Sequence, residues 1–309
     1  MAFTAEPYDP VTAATWLLCA TCGTQFPTAD RSAVKTCHIC DDPRQFVPPS
    51  GQSFTTLGDA ARTHANEFTP CASDPRLTFI TTTPKLAIGQ RAVLVRTPAG
   101  NVLWDCVPLL DDDTITAVRN LGGLAAIVIS HPHFYSTHVQ WARAFACPVY
   151  LAAEDRAWTT TASAHQMFLT DAETEIGATG ARAVKLGGHF PGSMVLLFDR
   201  HLLVADTLMT TASGVGRWDE DAVGGARARP PGINLFAFLY SIPNFIPLSV
   251  PEMARMWETL RRYDFSETHG GFAGMDIVDS RVKQRVLESM QIQAGHMGHG
   301  DDEFMKVRL

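Results

Sequence analysis

Four cysteines near the N-terminus fall into two pairs, Cys19-Ala-Thr-Cys22 and Cys37-His-Ile-Cys40, with 14 residues between them. A two-residue spacer folds into a tight knuckle that turns both thiolates toward one ion. Fourteen residues suffice for a short hairpin that brings the second knuckle opposite the first. Four sulfurs in a tetrahedron suit Zn²⁺. The rival reading, two redox or disulfide CxxC motifs, is weaker so early in a chain without secretory features. His38 stands between two better-placed cysteines. The other three of the 7 cysteines, Cys71, Cys106 and Cys147, read as small buried residues.

A second constellation is built from histidines. Ser130-His131-Pro132-His133 follows an apolar β-branched run, and two histidines at i and i+2 on an extended segment point the same way. A third sits in Gly187-Gly188-His189-Phe190-Pro191-Gly192-Ser193, where glycines permit tight turns and close backbone approach. Asp206 ends the run Leu203-Val204-Ala205, and a further histidine occurs in Thr268-His269-Gly270-Gly271. One loop histidine is ordinarily a hydrogen-bonded surface residue. Four at strand ends, with an aspartate, point to a metal centre.

The elements that must hold these residues are legible from pattern. Residues 1–47 form the zinc module, too small to fold without its metal, and residues 48–76, rich at first in Pro, Gly and Ser, read as a linker or arm. Short β-prone runs cover residues 77–83, 92–96, 102–106, 124–130, 148–151, 182–186, 194–198 and 201–204. The run at 124–130 is apolar throughout and is expected to be covered on both faces. Helical patterns cover residues 112–121, 137–146, 251–262 and 279–295. Strands and helices alternate, so residues 77–309 make one α/β unit.

On these residues the stretch 77–275 resembles the metallo-β-lactamase-fold hydrolases. His131 and His133 match the opening of that family's H-x-H-x-D-H motif. Gly188-His189-Phe190-Pro191-Gly192-Ser193 is similar to its glycine-flanked histidine, Asp206 to its bridging aspartate and His269 to its last histidine. Val102-Leu103-Trp104-Asp105-Cys106 resembles the early strand whose aspartate supports the site without binding metal. The resemblance implies an αββα sandwich with metals at the strand ends. It implies a first site of His131, His133 and His189 with Asp206 as a fourth ligand. Three histidines and an open position suit a catalytic zinc, which lowers the pKa of a bound water to about 7.

The motif then departs. The family's second-metal aspartate and histidine are replaced by Tyr135 and Ser136. Only Asp206 and His269 remain for a second ion, a degenerate site. His138, two residues further on at a helix start capped by Ser136 or Thr137, has three open readings: substitute ligand, general base or plain surface residue. Tyr135 is either a hydrogen-bond donor to substrate or a satisfied core tyrosine. The aromatic segment 233–245 either lines the pocket or packs the core, and residues 213–231, with four glycines, read as a mobile loop beside the site. His296 and His299, among glycines, read as decoration of a frayed end.

The expectation is a metal-dependent hydrolase acting on an ester, thioester, lactone or related acyl bond of a small, apolar or aromatic substrate. His131, His133 and His189 hold zinc, Asp206 completes the shell or orients water, and His269 or His138 assists proton transfer. With iron in place of zinc the same residues would support an oxidative reaction. A third reading is a catalytically degenerate scaffold whose ribbon recruits a protein partner.

Composition narrows the classes. With 46% apolar and 18% charged residues the chain can bury a large core, which excludes wholesale disorder. Its net charge of −7 lacks the basic footprint of nucleic-acid or anionic-membrane binding, and residues 1–60 carry six acids against three bases. The N-terminus lacks the basic residues and long apolar run of a secretory leader, and a cytoplasmic protein is expected.

Overall fold

The structure, a computed structural model, describes residues 4–309. Helix α1 (Pro10–Thr15), begun by Asp9 accepting from the Val11 N–H, leads into β1 (Leu17–Cys19). This strand pairs antiparallel with β2 (Phe54–Thr56), closing the cysteine module past residue 47, and α2 (Leu57–Ala60) follows directly. The expected linker is therefore mostly structured, because β3 (Ala65–Pro70) also falls inside it. β3 alternates exposed and half-buried residues as an edge strand does, a pattern too polar to stand out among turn residues.

The main unit contains two sheets. The first runs in the order β3, β4 (Leu77–Thr83), β5 (Ala92–Val95), β6 (Val102–Trp104), β7 (Ala126–Val128), β8 (Val149–Ala152) and β9 (Gln166–Leu169). Pairing is antiparallel from β3 to β6 and parallel from β6 to β9. The second sheet begins with β10 (Glu173–Glu175), β11 (Ala181–Lys185), β12 (Met194–Phe198) and β13 (His201–Leu203). Four short strands intervene, β14 (Met209–Thr210), β15 (Phe236–Ala237), β16 (Leu239–Ser241) and β17 (Ile246–Pro247), before β18 (Glu267–His269) and β19 (Asp276–Val278) complete it beside β13.

Period-2 alternation sorts the strands' side chains between two cores. Val93, Val95, Val102, Trp104 and Val128 meet Ala183, Leu196, Phe198 and Leu203 between the sheets. On the outer face of the first sheet, Leu94, Leu103 and Ile127 pack against Ile115 and Val118 of α3 (Asp112–Asn120) and Trp141 of α4 (His138–Phe145). The outer face of the second sheet meets Met253, Met256 and Trp257 of α5 (Val250–Leu260) and Val286 and Met290 of α6 (Val282–His296). The layers are αββα, as expected. The run at 124–130 is covered on both faces, with Ile127 toward helices and Val128 toward the opposite sheet.

Helix starts follow ordinary capping chemistry. Asp111 caps α3, and Ser249 and Glu252 form a reciprocal capping box on α5. α4 differs from expectation: Thr137 is the cap residue but makes no capping bond, its hydroxyl donating instead to the Pro108 carbonyl. Among the described residues no helix is long and apolar enough to cross a membrane.

Candidate metal centre and active site

The cysteine module places all four Sγ atoms in one buried cluster. Cys19 and Cys40 lie 3.7 Å apart and Cys22 and Cys37 3.6 Å apart, far beyond a disulfide bond of about 2.05 Å. A tetrahedral ion with Zn–S bonds of about 2.3 Å would hold its sulfurs about 3.8 Å apart, so the cluster fits a metal. His38 turns away and stacks on Trp158.

The histidine centre forms where β7, β11 and β13 end. His131 keeps extended backbone, and the chain then enters a short 3₁₀ turn, Pro132–Phe134, with proline at its first position. The turn, rather than continued strand, lets the two rings present different nitrogens. His131 Nε2 lies 3.2 Å from Asp206 Oδ2, and His133 Nδ1 and His189 Nε2 each lie 3.6 Å from the same oxygen. His189 Nε2 and His133 Nδ1 are 3.1 Å apart. All four side chains are buried.

Support comes from the backbone. Ser130 Oγ bonds His131 Nδ1 and orients that ring, and His189 Nδ1 donates to the Leu239 carbonyl, which leaves His189 Nε2 as a lone pair facing inward. Gly188 has φ +84, and a Cβ there would press on Leu248. Gly192 packs so closely on Ala152 and Asp155 that a Cβ would lie 2.4 Å from the Ala152 side chain. The glycines flanking His189 are thus steric requirements of its loop. Asp105, at φ +59 and fully buried, accepts the Ser130 N–H, and burial pushes its carboxyl up to about 7.

Electrostatics favour a cation. Burial pushes His133 down to about 4 and His189 to about 3, so both rings are neutral ligands at ordinary pH. Burial alone would raise Asp206, but the three imidazoles hold its carboxyl far below the usual range. His131 Nε2 and Asp206 Oδ1 are buried without a hydrogen-bond partner. Three imidazole nitrogens and one carboxylate oxygen converging at 3.1–3.6 Å fit a metal ion.

Three other residues named from sequence lie elsewhere. Tyr135 belongs to the core under α4, and its hydroxyl donates to the Asp155 carbonyl, so it does not face substrate. His138 is buried in the first turn of α4, where Nδ1 donates to the Tyr135 carbonyl and Nε2 accepts from the Gln166 amide. It is neither ligand nor base. His269 ends β18 opposite Asp276, on the same face as its neighbour Leu203, which points between the sheets. Its ring packs against Phe79 and joins His201 and Glu267 in a separate cluster. Ser136 has φ +46 and turns toward the cysteine module, donating to the Gly23 carbonyl and accepting the Gln25 N–H on its own carbonyl. The family's second-metal positions are therefore used for packing here.

The cysteine module also forms part of the site. A pocket of about 200 Å³ opens on His133 and Asp206 and is walled by Arg44, Gln45 and Phe46 of the module. Lys85, Ile88, Ile242, Pro243 and Phe272 complete it. The Arg44 guanidinium pairs with Asp42 at 2.6 Å and lies over the rings of Phe190, Trp158 and Tyr240. Asn244 of the 233–245 segment donates to the Pro43 and Gln45 carbonyls. In that segment Leu235, Phe236 and Phe238 pack the core while Ile242 and Pro243 face the pocket, so both sequence readings hold, residue by residue. His296 and His299 join none of the donor clusters.

No family model matches the chain. It is 35% identical over 280 residues to the uncharacterised protein YmaE of Bacillus subtilis, covering 90% of this chain and 94% of that protein. This chain belongs to the YmaE family. Among solved structures its fold is similar to TMB-1, with a TM-score of 0.51 at 10% identity over 75% of this chain and 99% of that one. It is also similar to the DIM-1 metallo-β-lactamase, at 0.50 and 14% identity over 74% and 98%. The FIM-1 metallo-β-lactamase of Pseudomonas aeruginosa, in its mono-zinc form, gives 0.50 and 11% over 75% and 96%. This member of the YmaE family thus has the metallo-β-lactamase fold, with a four-cysteine module added at its N-terminus.

Proposed function

We propose that this protein is a single-zinc hydrolase of small acyl substrates. The convergence of His131, His133, His189 and Asp206 at the floor of the pocket carries this reading. A zinc ion held there would polarise the acyl oxygen and lower the pKa of a bound water. His131 and His189 each fix one ring nitrogen through a hydrogen bond and present the other inward. Asp206 stays ionised, and its unpartnered Oδ1 is placed to orient water by accepting its hydrogen bond. Apolar Phe46, Ile88, Ile242, Pro243 and Phe272 exclude solvent and favour a greasy acyl group, while the exposed Lys85 ammonium meets an anionic group at the rim.

A one-metal centre follows from where the other ligands went. His269 is committed to β19 and Ser136 to the cysteine module, which leaves Asp206 alone to serve a second ion in the pocket. The test pairs elemental analysis with hydrolysis assays on aryl esters, thioesters and lactones, using protein purified without chelators. Zinc at the histidines with turnover abolished by His133→Ala supports the reading. Iron at the histidines, or turnover unaffected by that substitution, overturns it.

A further inference from the structure

On the face between the sheets, β13 and β18 carry another set of donor atoms. Their parallel register sets His201 beside Glu267 and Leu203 beside His269. His201 Nδ1 lies 3.1 Å from His269 Nε2, and Glu267 Oε2 lies 3.4 and 3.9 Å from those two atoms. All three residues are buried. A tetrahedral ion with bonds of about 2.0–2.1 Å would hold nitrogen donors about 3.3 Å apart. The nitrogen–nitrogen distance equals the 3.1 Å between His189 Nε2 and His133 Nδ1 in the pocket.

The outer nitrogens decide what can lie between the rings. His201 Nε2 faces Asp74 Oδ2 at 3.0 Å, and His269 Nδ1 faces Asp276 Oδ1 at 2.7 Å. A carboxylate only accepts, so each outer nitrogen carries the ring proton. In neutral rings the inner nitrogens are then two lone pairs pointing at each other, with a carboxylate oxygen beside them. Three converging acceptors call for a cation at their centre. Carboxylate–histidine pairs of this kind fix ring orientation and raise basicity in metal sites.

The surroundings complete the picture. Arg91 holds Asp276 through two bonds of 2.6 and 2.9 Å, and Arg76 holds Asp74 at 2.6 Å. Arg200 takes Glu267 Oε1 at 2.6 Å, leaving Oε2 to the Ser73 hydroxyl and the inner cluster. A cleft of about 530 Å³ lined by Cys71, Ser73, Phe79, Arg91, His269 and Asp276 gives access from solvent.

We infer that His201, Glu267 and His269 form a further metal site, separate from the pocket, that takes zinc or a similar borderline divalent ion. The ion ties β13 to β18 and, through Asp74, to the turn before β4. This site stands whether or not the pocket is hydrolytic. The rival occupant is a single proton shared by the two rings.

The experiment uses the His131→Ala/His133→Ala protein, which lacks two of the four pocket donors, supplied with zinc and then desalted. Elemental analysis is expected to give two zinc ions per chain. X-ray absorption is expected to show nitrogen and oxygen scatterers besides sulfur. Adding Glu267→Gln and His269→Gln is expected to remove one ion with the circular dichroism retained. One ion per chain with a sulfur-only shell overturns the inference in favour of the shared proton. That spectrum decides the question even where the added substitutions prevent folding.

Discussion

The guanidinium of Arg44 lies 3.8 Å from the centre of the Phe190 ring, and Phe190 directly follows the ligand His189. A cation on an aromatic face gains about 0.5–2 kcal/mol, more when desolvated. The same guanidinium neutralises Asp42, whose side chain is only 10% exposed. Arg44→Ala is expected to cost about 1–3 kcal/mol of stability by leaving Asp42 without its partner. If Phe46 and Gln45 move with it, KM for the hydrolysed substrate rises several-fold while kcat changes little. Denaturant melts and steady-state kinetics read the two effects separately, and an unchanged KM would remove Arg44 from the pocket wall.

His131→Ala deletes the ligand nearest Asp206 Oδ2. The variant is expected to bind one metal ion fewer than the parent and to lose hydrolytic turnover on the order of 10³-fold, several kcal/mol of transition-state stabilisation. Elemental analysis and initial rates check both. Full activity would place the chemistry elsewhere.

Asp105→Asn keeps an acceptor for the Ser130 N–H, and asparagine tolerates the φ of +59 found there. The substitution removes the negative charge that a carboxyl raised to about 7 carries in part at neutral pH, beside His131. Affinity for the pocket metal is expected to fall about tenfold with little change in Tm. Competition against a chromophoric chelator measures it, and equal affinities would show that Asp105 merely shapes the turn.

His138 sets an acid limit on stability. Burial lowers its pKa from 6.5 to about 4, and the Gln166 amide already donates to the nitrogen that would take the proton. The unfolded chain therefore binds a proton there below pH 6.5 while the folded chain resists until about pH 4. Stability from this group is full above pH 6.5 and is lost as pH falls toward 4, by at most about 3 kcal/mol. His138→Gln removes the titration. Urea midpoints of the two proteins are expected to converge between pH 7 and 4.5, and parallel pH profiles would contradict the assignment.

The sequence was most informative where chemistry and local geometry coincide. The two CxxC knuckles, the His131–His133 pair and the glycines around His189 require particular residue types at short range, so they could be read directly. Their burial and convergence bear that out. Direction was harder. His138 and Tyr135 sit on the right segment, but Tyr135 packs into the core against the Asp155 carbonyl and His138 is buried between the Tyr135 carbonyl and Gln166. His269 followed its strand's alternation into the space between the sheets. Arg44 and Phe46 escaped notice because a contact spanning 145 residues, such as Arg44 to the His189 carbonyl, leaves no periodic trace. The His201 cluster escaped because Asp74, His201 and Glu267 are distant in the chain and each alone is unremarkable in type. Only the i, i+2 pair Glu267 and His269 hinted at a shared face.

The turn at Ser136 limits what this part of the chain can hold. Where the resemblance places two ligands of a second ion, this chain has a tyrosine locked in the core and a serine fastened to the cysteine module. Exchanging Tyr135 for aspartate would bury a charge beneath α4, and exchanging Ser136 for histidine would demand the same left-handed backbone while cutting the Gly23 contact. The first change disturbs the core beneath α4, and the second loosens the module that walls the pocket. A second ion held at these two positions is therefore out of reach of any single substitution, and changes in what the pocket accepts fall to the residues that wall it.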